Sequence, residues 1–240
     1  MTASDPNWDA FLEVHKDLPR EGPGDAQSVL WALDLAKTPQ NARIADLGCG
    51  PGADTAVLAQ MRPEAQIAGV DMVPQFIEAA RRRVPEASFE VGDMSAPEGP
   101  LDLIWCAGAI YFLGVKEGLL GWRHALAERG CVAFSEPVLT SGSPSEAVRA
   151  FWQDYPQITD VTGVEAQIAE AGYRTLGHKL LIGAPWRAYY EPLQARLDIL
   201  REGQAWDTVQ RAIAEAQREI DLWAAAADDI AYALFVVTPE

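Results

Sequence analysis

Cysteine is scarce in this chain and badly spaced for ligation. Cys49, Cys106 and Cys131 are odd in number and far apart. They form no CxxC pair, no zinc pattern and no disulfide framework. No CxxxCxxC cluster supports radical iron–sulfur chemistry. Positive charge is also in short supply, with 19 Lys and Arg against 35 Asp and Glu, a net charge of −16. That balance repels phosphate backbones and argues against nucleic-acid partners. The dense basic run, Arg81-Arg82-Arg83, falls where a helix is expected to end and complements its dipole. No apolar run approaches the 18 residues of a membrane span, so no membrane partner is expected. The opening MTASDPNWDAFLEV is acidic and mixed, unlike a signal peptide. Repeats, low-complexity tracts and long linkers are absent. These absences point to a cytoplasmic protein. With 240 residues and 49% hydrophobic content, the chain can bury the core of a single domain.

What stands out against this background is IADLGCGPGAD, Ile44 to Asp54. A short apolar run reaches Asp46, then Gly48, Gly50 and Gly52 alternate before a helical stretch from Ala53. A strand that ends in a glycine turn and feeds a helix is a nucleotide-type binding device. Glycines let the backbone approach a ligand, and a helix N-terminus offers N–H groups to its anionic part.

The surrounding pattern alternates strand and helix. Strands are expected at Arg43–Leu47, Gln66–Val70, Ser88–Val91, Leu101–Cys106 and Gly130–Glu136. The fourth is apolar at nearly every position, as a buried parallel strand should be. Helices are expected at Asp54–Met61, from Pro74, and at Val115–Ala127. Before them, Asn7–Asp17 and a stretch from Asp25, a candidate cap, to about Lys37 read as helices. After them come helices at Ser145–Gln153 and Val164–Ala171, a strand at Tyr173–Ile182, helices at Trp186–Arg201 and Thr208–Ala225, and a last strand at Ile230–Val237. This predicts an α/β fold, a Rossmann-like doubly wound sheet of about seven strands. The single domain divides into an N-terminal helical cap (1–40), a core (41–183), a helical insertion (184–228) and a last strand (229–240).

Four strand ends carry candidate chemistry. Gly48-x-Gly50-x-x-Ala53 also satisfies the dinucleotide pattern, so the turn alone does not separate NAD from an adenosyl ligand. Asp71 ends the second strand, where an acid can accept both ribose hydroxyls. Its other reading is a cap for the Pro74 helix. Asp93 follows the third strand, placed to accept an adenine amine, with Met72 and Met94 as apolar flanks; by itself it reads as a turn residue. Cys106-Ala107-Gly108-Ala109 leaves the fourth strand with small residues that let a ligand approach. Ligands of open α/β sheets bind outside these carboxyl ends.

DLGCGPG, GVD, GDM and LDLIWCAGAI, in this order, resemble the motifs of class I S-adenosylmethionine-dependent methyltransferases. The resemblance covers Ala42–Glu136 in detail. It extends more loosely, through LPREGPGD, FWQDYP and WRAYYEPLQARL, to a subgroup of small bacterial methyltransferases. It implies that Asp46, Gly48, Cys49, Gly50 and Gly52 hold the methionine part of S-adenosyl-L-methionine. Asp71 would bind the ribose, Asp93 and Met94 the adenine, and Cys106 would lie beside the methionine tail. The reaction implied is direct in-line displacement onto a small-molecule acceptor. Cys106–Ala109 departs from the Asn/Asp-Pro-Pro-Tyr/Phe motif of amino-group methyltransferases acting on adenine or glutamine. The acids and Asn of metal-dependent catechol methyltransferases are missing as well, so no metal is expected.

The acceptor side is open. His15 could take a proton, or be an exposed or capping histidine. Arg20 could meet the donor carboxylate or form a surface ion pair. Tyr111 and Phe112 follow the fourth strand, and Glu136, at the end of the fifth, could orient an acceptor or act as base. Trp152, Tyr155, Trp186, Tyr189 and Tyr190 could form an aromatic lid over a flat or cationic substrate, with plain packing expected for at least half. His124 and His178 read as structural. Two other functions remain open at this level: an NAD-dependent oxidoreductase, and a non-catalytic donor-binding or regulatory protein. Monomer and homodimer are both compatible with the sequence.

Overall fold

A computed structural model describes residues 6–203 and 206–240. The start of the expected helical cap, residues 1–5, and residues 204–205 of the insertion lie outside the described residues. In chain order the elements are α1 (Pro6–Val14), α2 (Ala26–Leu35), β1 (Arg43–Leu47), α3 (Ala53–Met61), β2 (Gln66–Asp71), α4 (Pro74–Arg83), β3 (Ser88–Val91), β4 (Leu101–Ala107), α5 (Val115–Trp122) and β5 (Leu126–Leu139). They continue with α6 (Glu146–Phe151), β6 (Thr159–Asp160), α7 (Val161–Glu170), β7 (Tyr173–Leu181), α8 (Ala184–Glu202), α9 (Asp207–Ala224) and β8 (Ile230–Pro239).

Seven strands lie in the order β3-β2-β1-β4-β5-β8-β7, and the two-residue β6 pairs with β5 as an eighth. β8 runs antiparallel between β5 and β7, and the other pairings are parallel. The chain winds outward from β1 to β3, then restarts beside β1 with β4. This reversal opens a crevice at the carboxyl ends of β1 and β4, where such sheets bind ligands.

Period-two alternation builds two cores. Ile44, Leu103, Trp105 and Ala133 face one layer, with Leu33, Leu58, Ile77, Leu193 and Leu197. Ala45, Ile104, Cys106 and Phe134 face the other, with Leu119, Trp122, Val164 and Ile168. Caps fix the helix starts: Asp25 accepts from Ser28 N at 2.7 Å and Asp160 from Gly163 N at 2.8 Å. Pro74 sits in the first turn of α4, and the three arginines occupy its last.

The fifth strand is longer than the sequence suggests. The expected helix Val115–Ala127 ends at Trp122, tightens into a 3₁₀ turn over Arg123–Ala125, and β5 begins at Leu126. Gly130 hides this start. It lies beside a register shift between Leu101 and Leu103, where an added Cβ would stand 2.6 Å from Leu101 O. At the other end β5 runs past Pro137. The pairing with β4 stops at Ser135, so the missing proline N–H leaves no ladder bond unmade on that side.

Candidate active site at the carboxyl ends of the strands

The glycine turn is fastened to β2. Gly48 N and Cys49 N both donate to Val70 O, at 2.8 and 3.0 Å, and Gly52 N donates to Cys49 O at 3.0 Å. Gly50 N donates to Asp71 Oδ2 at 2.9 Å. The N–H groups of Gly48, Cys49, Gly50 and Gly52 are therefore spent inside the protein. What the turn offers is close approach. Gly48 has φ +72°, and a Cβ there would lie 2.5 Å from Ala109 Cβ and 3.7 Å from Met94 Sδ. Gly52 has φ +80° and abuts Ala80 of α4. Cys49 is buried, and its Sγ faces Gly69 of β2. Its backbone is the part within reach of a ligand.

Asp46 is buried at the end of β1, where Thr55 Oγ1 donates to its Oδ2 at 2.5 Å. Burial first, then the charges of Asp54 and Asp71, raise its pKa from 3.8 to about 7. Because the folded value lies above the unfolded one, the stability tied to the neutral acid is complete below pH ~4. It is lost as pH rises through about 7. Asp46→Asn mimics the neutral acid and is expected to gain ~5 °C in melting temperature over wild type between pH 5 and pH 8. Parallel melting profiles for the two proteins would remove this assignment.

Asp71 is half-buried, and its Oδ1 accepts from Val73 N at 2.9 Å. It makes a local turn, and no side chain caps α4. Desolvation raises its pKa against the pull of these two backbone N–H groups. Asp93 is exposed and accepts from Ser95 N at 2.8 Å. Met72 beside it is 75% exposed, and Met94 is half-buried with its carbonyl held by Trp122 Nε1. Cys106 is buried between the charges of Asp46 and Glu136, which with desolvation push its thiol far up. It is no nucleophile at neutral pH.

A strap from Leu18 to Asp25 lies against the turn, with Glu21 Cγ 3.7 Å from where a Gly50 Cβ would stand. Arg20 bonds Asp54 Oδ1 at 2.6 Å and Gly22 O at 3.0 Å, and Trp105 Nε1 reaches Asp54 Oδ2 at 3.2 Å. This pair is largely shielded, so the surface ion pair considered for Arg20 is instead an interior anchor at the first turn of α3. His15 is buried too. Its Nδ1 lies 2.5 Å from Glu21 Oε2 and its ring stacks on Phe11 at 4.0 Å. It is not exposed; it follows α1, where its backbone N–H donates to Phe11 O at 2.9 Å, and its ring ties that helix end to the strap. Asp54, Thr55 and Glu21 drew no attention in the sequence. Their one signal was position in the first turn after the glycines, or in the Pro- and Gly-rich loop.

Across Cys106 from Asp46 lies a second group. Tyr155 Oη donates to Glu136 Oε1 at 2.6 Å, while Glu136 Oε2 is sealed from solvent with no partner among the described residues. Burial raises Glu136 to about 7, and Tyr155 pulls it partly back. Tyr111 meets Tyr155 edge-on at 5.9 Å, and desolvation with Glu136 pushes its phenol up to about 12. Tyr111 therefore stays protonated at neutral pH. Phe112 projects outward. The aromatic residues divide. Trp152, Trp186 and Tyr190 join Tyr232 and Trp223 in a packed cluster. Tyr155 lies with Glu136, and Tyr189 packs on Tyr190 at 4.9 Å, within electrostatic reach of Tyr111. His124 bonds Gly121 O and His178 pairs with Glu165, both at the surface.

Residues 44–130 match a family model described as a methyltransferase domain. A trans-aconitate 2-methyltransferase of Variovorax paradoxus is 32% identical over 218 residues, covering 88% of this chain and 75% of that protein. The same-named protein of Methylobacterium nodulans is 40% identical over 134 residues, covering 55% of this chain and 50% of its own length. Against that relative and several similar ones the chain spans half the length or less. A methyltransferase of Geobacter sulfurreducens crystallised with S-adenosyl-L-homocysteine superposes with a TM-score of 0.84 over 97% of this chain and 98% of that one, at 18% identity. That likeness shows the shared fold. With the Variovorax relative matched over three quarters of its length, the chain belongs to the class I S-adenosylmethionine-dependent methyltransferases.

Proposed function

We propose that this chain transfers the methyl group of S-adenosylmethionine to a small-molecule acceptor by direct in-line displacement. The observation that carries the reading is the bare Gly48 Cα, set against Ala109 and Met94 between the acids Asp46 and Asp71. A side chain at Gly48 would force Ala109 or the turn to move at the rim of the crevice, and the flanking carboxylates can accept from the amine and hydroxyl groups of an adenosyl ligand. Asp46 and the turn would hold the methionine part, Asp71 the ribose, and Asp93, Met72 and Met94 the adenine. When bound, the donor supplies a methyl group on a positively charged sulfur. The residues here orient it, exclude water and place an acceptor in line.

Arg20 serves the strap by neutralising Asp54, and His15 does so through Glu21. Both close the donor end. The names of the relatives favour a second reading, trans-aconitate as acceptor. Its carboxylates call for cations, and Glu136 and Tyr155 supply none. Calorimetry is expected to show S-adenosylhomocysteine binding at ~micromolar Kd, with NAD inert. Tight NAD binding without the other would overturn the proposal. Release of S-adenosylhomocysteine on a metabolite panel separates an enzyme from a donor-binding sensor.

A further inference from the structure

Glu136 is 5% exposed, yet one of its carboxylate oxygens has no hydrogen-bond partner among the described residues. Leaving a carboxylate oxygen buried and unpaired is costly, so this position favours a hydrogen-bond donor. Its surroundings are aromatic. Tyr155 holds the other oxygen, Tyr111 stands edge-on to Tyr155, and Tyr232 is on the neighbouring β8, its ring 3.7 Å from a Cβ at Gly108. Tyr189 of α8 lies within electrostatic reach of Tyr111, Glu21 and Glu219. Among the described residues, none of the hydrogen bonds or ring contacts of Glu136, Tyr111, Tyr155, Tyr189 and Tyr232 is to Lys, Arg or His. Arg20 of the strap and the nearby His15 are each held by an acid.

We propose that the methyl acceptor is a small amine, with an N–H on Glu136 Oε2 and its carbon skeleton against the rings of Tyr111, Tyr155, Tyr189 and Tyr232. This rests on the methyltransferase reading and names its substrate class. Tyrosine faces attract a cation, and the acid accepts its protons. A polycarboxylate would be repelled by Glu136 and find no counter-charge. An oxygen acceptor that must ionise is disfavoured by the burial that, with the Glu136 charge, holds Tyr111 at about 12. A nitrogen acceptor ends with a positive charge, which the Glu136 carboxylate can offset.

The proton balance closes. The bound ammonium gives a proton to Glu136, whose pKa near 7 matches the task. The freed nitrogen lone pair forms the new N–C bond as the donor S–C bond breaks. The bonding pair stays on sulfur, and the sulfonium charge passes to nitrogen. As the product leaves and solvent enters behind it, Glu136 gives its proton to water. The groups facing Glu136 are Cys106 of β4, Tyr111 after β4, Tyr155 after α6 and Tyr232 of β8, with Glu219 of α9 beyond them.

The test follows S-adenosylhomocysteine release with phenethylamine, benzylamine and cyclohexylamine, against trans-aconitate and phenol. Turnover is expected on amines alone, with kcat/KM rising through a limb near pH 7. Glu136→Gln should cut kcat/KM by ~100-fold and flatten that limb. Tyr155→Phe, which removes the bond that lowers Glu136, should move the limb to higher pH. Calorimetry with S-adenosylhomocysteine on each variant confirms an intact donor site. Turnover of trans-aconitate or phenol with the amines silent overturns the inference. So does an unchanged pH limb in Glu136→Gln. Silence of every probe in protein that binds S-adenosylhomocysteine also ends the amine proposal and leaves the methyltransferase reading standing. If S-adenosylhomocysteine itself fails to bind, the methyltransferase reading falls first.

Discussion

Gly48→Ala is expected to weaken S-adenosylhomocysteine binding by ~100-fold, about 2.7 kcal/mol. Two costs combine. At φ +72° the new Cβ enters the left-handed region, which costs about 1–2 kcal/mol. It would also stand 2.5 Å from Ala109 Cβ, a buried atom with no free rotor to swing aside. The turn or the segment after β4 must move, and both wall the proposed donor site. Melting should fall by several degrees while the fold survives, since Gly48 borders the sheet without belonging to it. Calorimetry and a thermal melt on the same sample separate the effects. Affinity within threefold of wild type in a folded protein would remove the turn from the donor site.

Asp71→Ala should also lose ~100-fold or more in S-adenosylhomocysteine affinity, with a larger loss of stability. Gly50 N and Val73 N both depend on its carboxylate. Without it two N–H groups lose their acceptor, each at about 1–3 kcal/mol where water cannot replace it. Gly50 is buried, so its loss is the heavier and loosens the turn from β2. On the proposed donor pose the ribose contacts go as well. Asp71→Asn keeps one acceptor oxygen and should fall between wild type and alanine. Equal affinities across the three would show that the acid holds the turn and does not touch the donor.

Much of the donor side was legible because its signals are local. A strand of alternating or continuous apolar residues, a stop, three glycines and a helix are set by backbone sterics and burial over a dozen residues. The acids at the ends of β1, β2 and β3 could be placed once the strands were. The last strand and the two helices before it followed from length and periodicity, while the antiparallel direction of β8 was implied only by the family resemblance. The errors were local too. Gly130 and Pro137 read as boundaries of β5, yet a register shift and the early end of β4 made both harmless.

The acceptor side was legible as composition without arrangement. Tyrosines and a glutamate were visible, but which of them meet depends on β5, β8, α8 and the segment after α6 coming together. The partners of Arg20 and His15 followed the same rule, because Asp54 is distant in sequence and Glu21 is reached only by the folding back of a proline-rich loop.

The sequence by itself determined the sheet's winding, the glycine turn and the acids at its rim, since each rests on short-range geometry. Only the tertiary structure decided that the turn's N–H groups belong to Val70 and Asp71. Only it left one oxygen of Glu136 bare among tyrosines. Hydrogen-bond capacity and burial are shared between segments far apart in the chain, and no single segment carries that account.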